Sequence, residues 1–198
     1  MSYDHIEQDI VDALQHLPDI SRAHAYRDTD WTNATKAIFG AIRYKNRSNN
    51  LTCQSWSGFD RRGQYTSEEI KQHVKEALNL HVPDYLHEWL YDITWYDAKP
   101  GFVYDMPLVA ESEWGKIEAD GGVKEDFQKL LLARSKYRVM IFQCRKREHN
   151  ALIKWFKEQI RELQFTQTDD RYLFCAFLWD TKDQWFDFTH YVVPVNFR

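Results

Sequence analysis

LYDITWYDAKPGFVYDMPLVAESEWG, residues 90–115, sets Asp92, Asp97, Asp105, Glu111 and Glu113 among Ile93, Trp95, Leu108 and Val109. Its β-prone runs predict strands over about Leu90–Tyr96 and Met106–Trp114. Alternate residues of a strand share a face and advance about 3.3 Å each. Glu111 and Glu113 therefore point the same way, roughly 6.6 Å apart along the backbone, and Leu108, Ala110, Ser112 and Trp114 point the other way. At an effective dielectric near 20, two carboxylates about 6 Å apart repel by roughly 3 kcal/mol. A buried pair needs a proton, a cationic partner or a metal ion to offset that. Mg²⁺ (or Mn²⁺) suits hard oxygen ligands, one or two carboxylates with several waters, and serves phosphate chemistry. Asp92 lies nineteen residues before Glu111, far enough for a hairpin to set the two acids side by side. The competing reading is a sheet edge with solvated acids on its outer face.

Outward from this stretch, apolar periodicity predicts the remaining elements. Ile6, Ile10, Ala13, Leu14 and Leu17 give a helix over Tyr3–Leu17, and Ala37, Ile38, Ala41 and Ile42 give another after Asn33, with Lys36, Arg43 and Lys45 on its polar side. LTCQSW is short and β-prone. Thr66 and Glu69 form a capping-box pattern that opens a helix over Ser67–Leu80. KEDFQKLLLARSK is a helix with Phe127, Leu130 and Leu131 inward. YRVMIFQC is a continuous apolar run of the kind found in buried strands. An amphipathic helix over Glu148–Leu163 and two strands, RYLFCAFLWD and WFDFTHYVVPV around the turn TKDQ, complete the chain. The order predicts a mixed α/β domain with a helical N-terminal part. A single domain is expected over 1–198: a helical part at 1–65, a core at 66–145, and a C-terminal helix and strands at 146–198.

Composition narrows the function. In 198 residues, 43% hydrophobic and 16% aromatic content specifies a globular chain with a sizeable core, and a net charge of −4 argues against a non-specific polyanion coat. No apolar run approaches the roughly 18 residues that cross a bilayer, so no membrane association is expected. The opening MSYDHIEQDIVDALQHL lacks the basic and apolar regions of a signal peptide. Three cysteines, Cys53, Cys144 and Cys175, suit a reducing cytoplasm better than a disulfide framework. HEWLY begins like a zinc-protease HExxH, but Tyr91 stands where the second histidine is needed. Cys144, beside RKREH, is either a thiol activated by cations or a small core residue. The basic run Cys144–His149, with Lys136 and Arg138, is either a phosphate contact or a solvated loop.

An acid on one strand, about twenty residues, AESEWG on the next strand, a helix and an apolar strand together resemble the PD-(D/E)XK nuclease superfamily. The resemblance covers about Val74 to Cys144. It implies a restriction-endonuclease-like fold: a mixed β-sheet flanked by helices with an α-β-β-β-α-β core. It implies Asp92 and Glu111 as the metal-binding acids for Mg²⁺ or Mn²⁺, the Ser112 carbonyl as a further ligand, and Glu88 as an additional acid. Glu113 stands where most members carry lysine, although some restriction enzymes have an acid there. It would then bind a second ion or orient the attacking water. Lys129, off the Phe127 stripe and close to Asp126, is the candidate substitute for that lysine; its other reading is a solvated helix lysine. The implied activity is metal-dependent hydrolysis of phosphodiester bonds, with DNA as partner and a homodimer as one possible assembly. The alternative is a nuclease-fold binding or accessory module that has lost cleavage and assembles with a protein or nucleic acid.

Overall fold

The computed structural model describes residues 3–46, 53–57, 68–83, 91–99, 102–114 and 122–194. They form helices α1 (His5–Leu14), α2 (Leu17–His24) and α3 (Asp28–Lys45), strand β1 (Cys53–Ser57) and helix α4 (Glu68–Leu78). Then come β2 (Ile93–Lys99), β3 (Phe102–Glu113), α5 (Gly122–Leu132), β4 (Tyr137–Cys144), α6 (Lys146–Glu162), β5 (Arg171–Leu178) and β6 (Trp185–Val192). From α4 to β4, the stretch that carries the resemblance, the order is α-β-β-α-β. The chain is α/β, a mixed sheet flanked by helices with a helical N-terminal part. It divides into two compact units, Met1–Leu108 and Val109–Arg198, the division falling within β3. Among the described residues, no helix is long and apolar enough to cross a membrane.

In the first unit α3 is the central helix. Ala34, Ala37, Ile38, Phe39, Ala41 and Ile42 are buried, and the helix packs against α1, α2, α4, β1 and β2. β1 runs antiparallel to β2, Cys53 opposite Asp97 and Ser57 opposite Ile93, and β2 lies between β1 and β3. Three local features depart from the periodicity. The expected single helix over Tyr3–Leu17 ends at Leu14, and α2 restarts at Leu17 with Pro18 in its first turn, where a missing N–H costs no hydrogen bond. α3 begins at Asp28, ahead of Asn33, because the Arg27 amide donates to the Asp30 carboxylate at 2.9 Å and closes the N-terminal turn. β3 begins at Phe102, ahead of the expected Met106, and holds the exposed Asp105.

In the second unit the strand order is β3-β4-β5-β6. β4 and β5 are parallel, Tyr137 opposite Arg171 and Cys144 opposite Leu178, and α6 makes the crossover that parallel strands require. β5 and β6 form an antiparallel hairpin with Leu178 opposite Trp185. α5 packs on β4 and α6 on β5. Phe127 of α5 meets Phe156 of α6 at 4.4 Å between ring centroids and Phe174 of β5 at 5.8 Å, and Phe156 meets Phe142 of β4 at 5.5 Å. This aromatic layer fixes the face of α5 that turns inward, and with it the face left for polar residues.

Candidate functional site

β3 enters the second unit as Val109-Ala110-Glu111-Ser112, all buried, before the half-buried Glu113. A run buried on both faces is what an interior strand of a covered sheet gives, and it places the Glu111 side chain at 4% exposure. The end of the strand is anchored. The Gln143 side-chain amide of β4 donates to the Trp114 carbonyl, and the Trp114 ring stands edge-on to Phe177 and Phe186 at 6.2 and 6.1 Å.

The counter-charge for Glu111 comes from α5. Val123, Phe127, Leu130 and Leu131 bury one stripe of that helix, which leaves Asp126 and Lys129, one turn apart, beside it. Lys129 Nζ lies 2.6 Å from Asp126 Oδ1 and 3.8 Å from Glu111 Oε1, with its side chain 54% exposed. Lys129 thus reaches from solvent to a buried carboxylate. Glu113 points to the start of the same helix. A Cβ built on Gly122 would lie 3.5 Å from Glu113 Cγ and 3.7 Å from Oε2. The unpaired N–H groups of a helix start favour a carboxylate nearby.

In the first unit Asp92 sits on a bend just ahead of β2. Its Oδ1 is 3.8 Å from Lys36 Nζ, and Lys36 is 6% exposed on α3. Two turns along the same helix, Arg43 forms an ion pair with Asp97 of β2 and lies 5.5 Å above the Trp95 ring. Lys36 was expected on a polar face; it is buried instead, because 36, 39 and 43 share the stripe on which Phe39 meets Trp95 at 6.2 Å. Periodicity missed this burial. A lysine and an arginine seven residues apart, flanking a buried aromatic, were the available signal.

Asp92, Glu111 and Asp97 therefore each have a cation nearby, which accounts for acids on buried or half-buried strands. The donors also suit a hard cation in kind, since Mg²⁺ commonly takes one or two carboxylates and completes its shell with water. Among the described residues no group of three or more His, Cys, Asp and Glu side chains gathers as a metal cluster. Ser112 is buried on the strand face opposite Glu111 and Glu113. Glu88 and the HEWLY histidine lie outside the described residues.

Two of the other readings are decided. Cys144 is fully buried, and burial, with the nearby Glu148, Asp180 and Asp187 charges, pushes its thiol up to about 12, so it is no activated nucleophile. Arg138 is also buried. It pairs with Asp170 at 3.1 Å and donates to the Ala133 carbonyl at 2.7 Å, so it cannot contact phosphate. Lys136, by contrast, is exposed.

Comparison with protein-family models, with curated proteins and with solved structures finds no match to this chain.

Proposed function

We propose that this chain is a metal-dependent nuclease of the PD-(D/E)XK kind, hydrolysing phosphodiester bonds in DNA. The observation that carries the reading is the approach of Lys129 to Glu111 at 3.8 Å. AESEWG has an acid where the resemblance expects lysine, and the ammonium arrives from α5 at the preceding acid. Over the stretch that carries the resemblance, α4 to β4, the order is α-β-β-α-β, which shares the two acidic strands, the helix and the apolar strand and is one strand short of the full core.

In this reading Glu111, with the Ser112 carbonyl, would hold Mg²⁺ or Mn²⁺. When bound, the ion lowers the pKa of a coordinated water and offsets charge growing on the phosphate. Lys129 leaves its pairing with the carboxylates and places its ammonium against the scissile phosphate, where charge develops in the transition state. Asp126, at 2.6 Å, holds Lys129 at the mouth of the site until substrate arrives. Glu113, fixed against the start of α5, orients the attacking water. The setting is the cytoplasm, and a homodimer would allow two strands to be cut.

The test is cleavage of plasmid and linear DNA by the full chain with Mg²⁺, Mn²⁺ or EDTA. Glu111→Gln should lose metal-dependent cleavage and keep its circular dichroism spectrum. A second reading, a nuclease-fold binding module without cleavage, is favoured by the existing pairing of Lys129 with Asp126 and Glu111. Metal-independent DNA binding with no cleavage by the unmodified chain would establish that second reading and end the first.

A further inference from the structure

At the end of β4 the chain turns through Arg145 into α6, and at the end of β5 it turns through Trp179 into the hairpin to Trp185. The Arg145 guanidinium lies 5.3 Å above the Trp179 ring, and Lys146 Nζ lies 5.8 Å above the Trp185 ring. Both indoles face water, Trp179 at 40% and Trp185 at 39% exposure, although tryptophan is usually far more buried. Arg147 and Lys182 are exposed beside them.

Acids share these turns: Glu148 stands 3.8 Å from Arg147, and Asp180, Asp183 and Asp187 lie in or beside the hairpin, so the surface carries both signs of charge and the cations over the indoles are Arg145 and Lys146. The Asp180 carboxylate accepts the Lys146 amide at 2.8 Å, Glu148 accepts the Arg145 amide at 3.2 Å, and Asp187 stands 3.8 Å from the buried His149. Asp180 and Glu148 thus fix the first turn of α6, and Arg145 and Lys146 lie over the two indoles. The surface also lies at the same end of the second unit's sheet as Glu111 and Glu113. Trp114, the residue after Glu113, touches Phe177 and Phe186, which adjoin the hairpin. Open α/β sheets bind ligands at the carboxyl ends of their parallel strands, and β4 and β5 end here.

We propose that Trp179 and Trp185, with Arg145 and Lys146, form a stacking platform for unpaired bases of single-stranded nucleic acid. Each half-exposed indole has a cation over one face, so a base of any sequence would stack on the ring surface that remains exposed, with Arg145 and Lys146 near its phosphates. A duplex hides its base faces and gains only the cations. An apolar peptide would cover Arg145 and Lys146 with only the two rings as partners. The identity of the partner rests on the nuclease reading, but stacking needs neither metal nor cleavage.

The experiment measures fluorescence anisotropy of a labelled oligo(dT) of thirty nucleotides with the full chain in EDTA. Trp179→Ala and Trp185→Ala should each weaken binding about tenfold, as expected for loss of one base–aromatic stack. Trp179→Phe should retain most of the affinity, and Arg145→Ala should flatten the salt dependence. Unlabelled duplex of equal length should compete at least about tenfold less well than the single strand. The proposal is overturned if both alanine variants, folded by circular dichroism, bind like the unmodified chain. It is also overturned if duplex competes equally or if no single strand binds. Trp179 lies in a turn after β5 and is exposed, so its replacement leaves the core intact even if Trp185→Ala unfolds. Tryptophan-dependent binding without metal-dependent cleavage would sink the nuclease alone; metal-dependent cleavage together with single-strand binding indifferent to both tryptophans would sink the platform alone.

Discussion

Replacing Lys129 by Met keeps the aliphatic stem and deletes the ammonium, so it separates a catalytic cation from a structural one. At 3.8 Å from Glu111, an effective dielectric near 20 gives a gross attraction of about 4 kcal/mol. The Lys129 side chain is 54% exposed, and water and side-chain entropy reduce such a pair to about 1 kcal/mol or less. In EDTA, Lys129→Met should therefore lower Tm by about 2–4 °C, the usual response of a chain this size to 1 kcal/mol. Metal binding should move the other way. Removing a positive charge beside the carboxylate should tighten Mn²⁺ binding about fivefold, the equivalent of the same 1 kcal/mol. Turnover should fall about a hundredfold, as for other charge-stabilising groups, with DNA affinity in Ca²⁺ little changed. The assays are a thermal melt in EDTA, Mn²⁺ titration by electron paramagnetic resonance, and single-turnover cleavage. Cleavage at the unmodified rate, or Mn²⁺ binding that weakens, would refute the assignment of Lys129 and leave it as a surface ion pair.

Two further predictions concern the second unit. Arg138→Met leaves Asp170 buried without its 3.1 Å partner and should cost about 3–5 kcal/mol in urea denaturation, whereas Arg138→Met with Asp170→Leu should recover most of it. An unchanged urea midpoint in the single variant would show the pair to be idle. Alkaline stability should depend on Cys144. Its folded thiol sits at about 12 and an unfolded one near 8.5, so above pH ~8.5 only the unfolded chain releases this proton, and stability falls as pH rises. At pH 9.5 the loss is about 1.4 kcal/mol, and Cys144→Ala should remove it. Tyr26 and Tyr172, also raised to about 12 by burial, add their own losses only above the ordinary tyrosine range near 10. Equal pH dependence in the two proteins between pH 7.5 and 9.5 would contradict this account.

The sequence by itself determined the parts that depend on local periodicity. Phe127, Leu130 and Leu131 define α5, and their stripe leaves Lys129 on a polar flank. The continuous apolar run Tyr137–Cys144 is a buried strand, and the i,i+2 spacing of Glu111 and Glu113 puts them on one face. Tertiary structure alone decided what those residues meet. The buried Lys36 near Asp92, the Arg43–Asp97 pair over Trp95, and the Cys53–Asp97 register of β1 against β2 join residues far apart in sequence. The same holds for the ion pair that buries Arg138 and for the cations above Trp179 and Trp185. Periodicity says which side of an element turns inward, because that follows from 3.6 residues per turn or two per strand repeat. Which charge waits there depends on how separate segments close on one another, and long-range pairing leaves no mark in the local spacing of either segment.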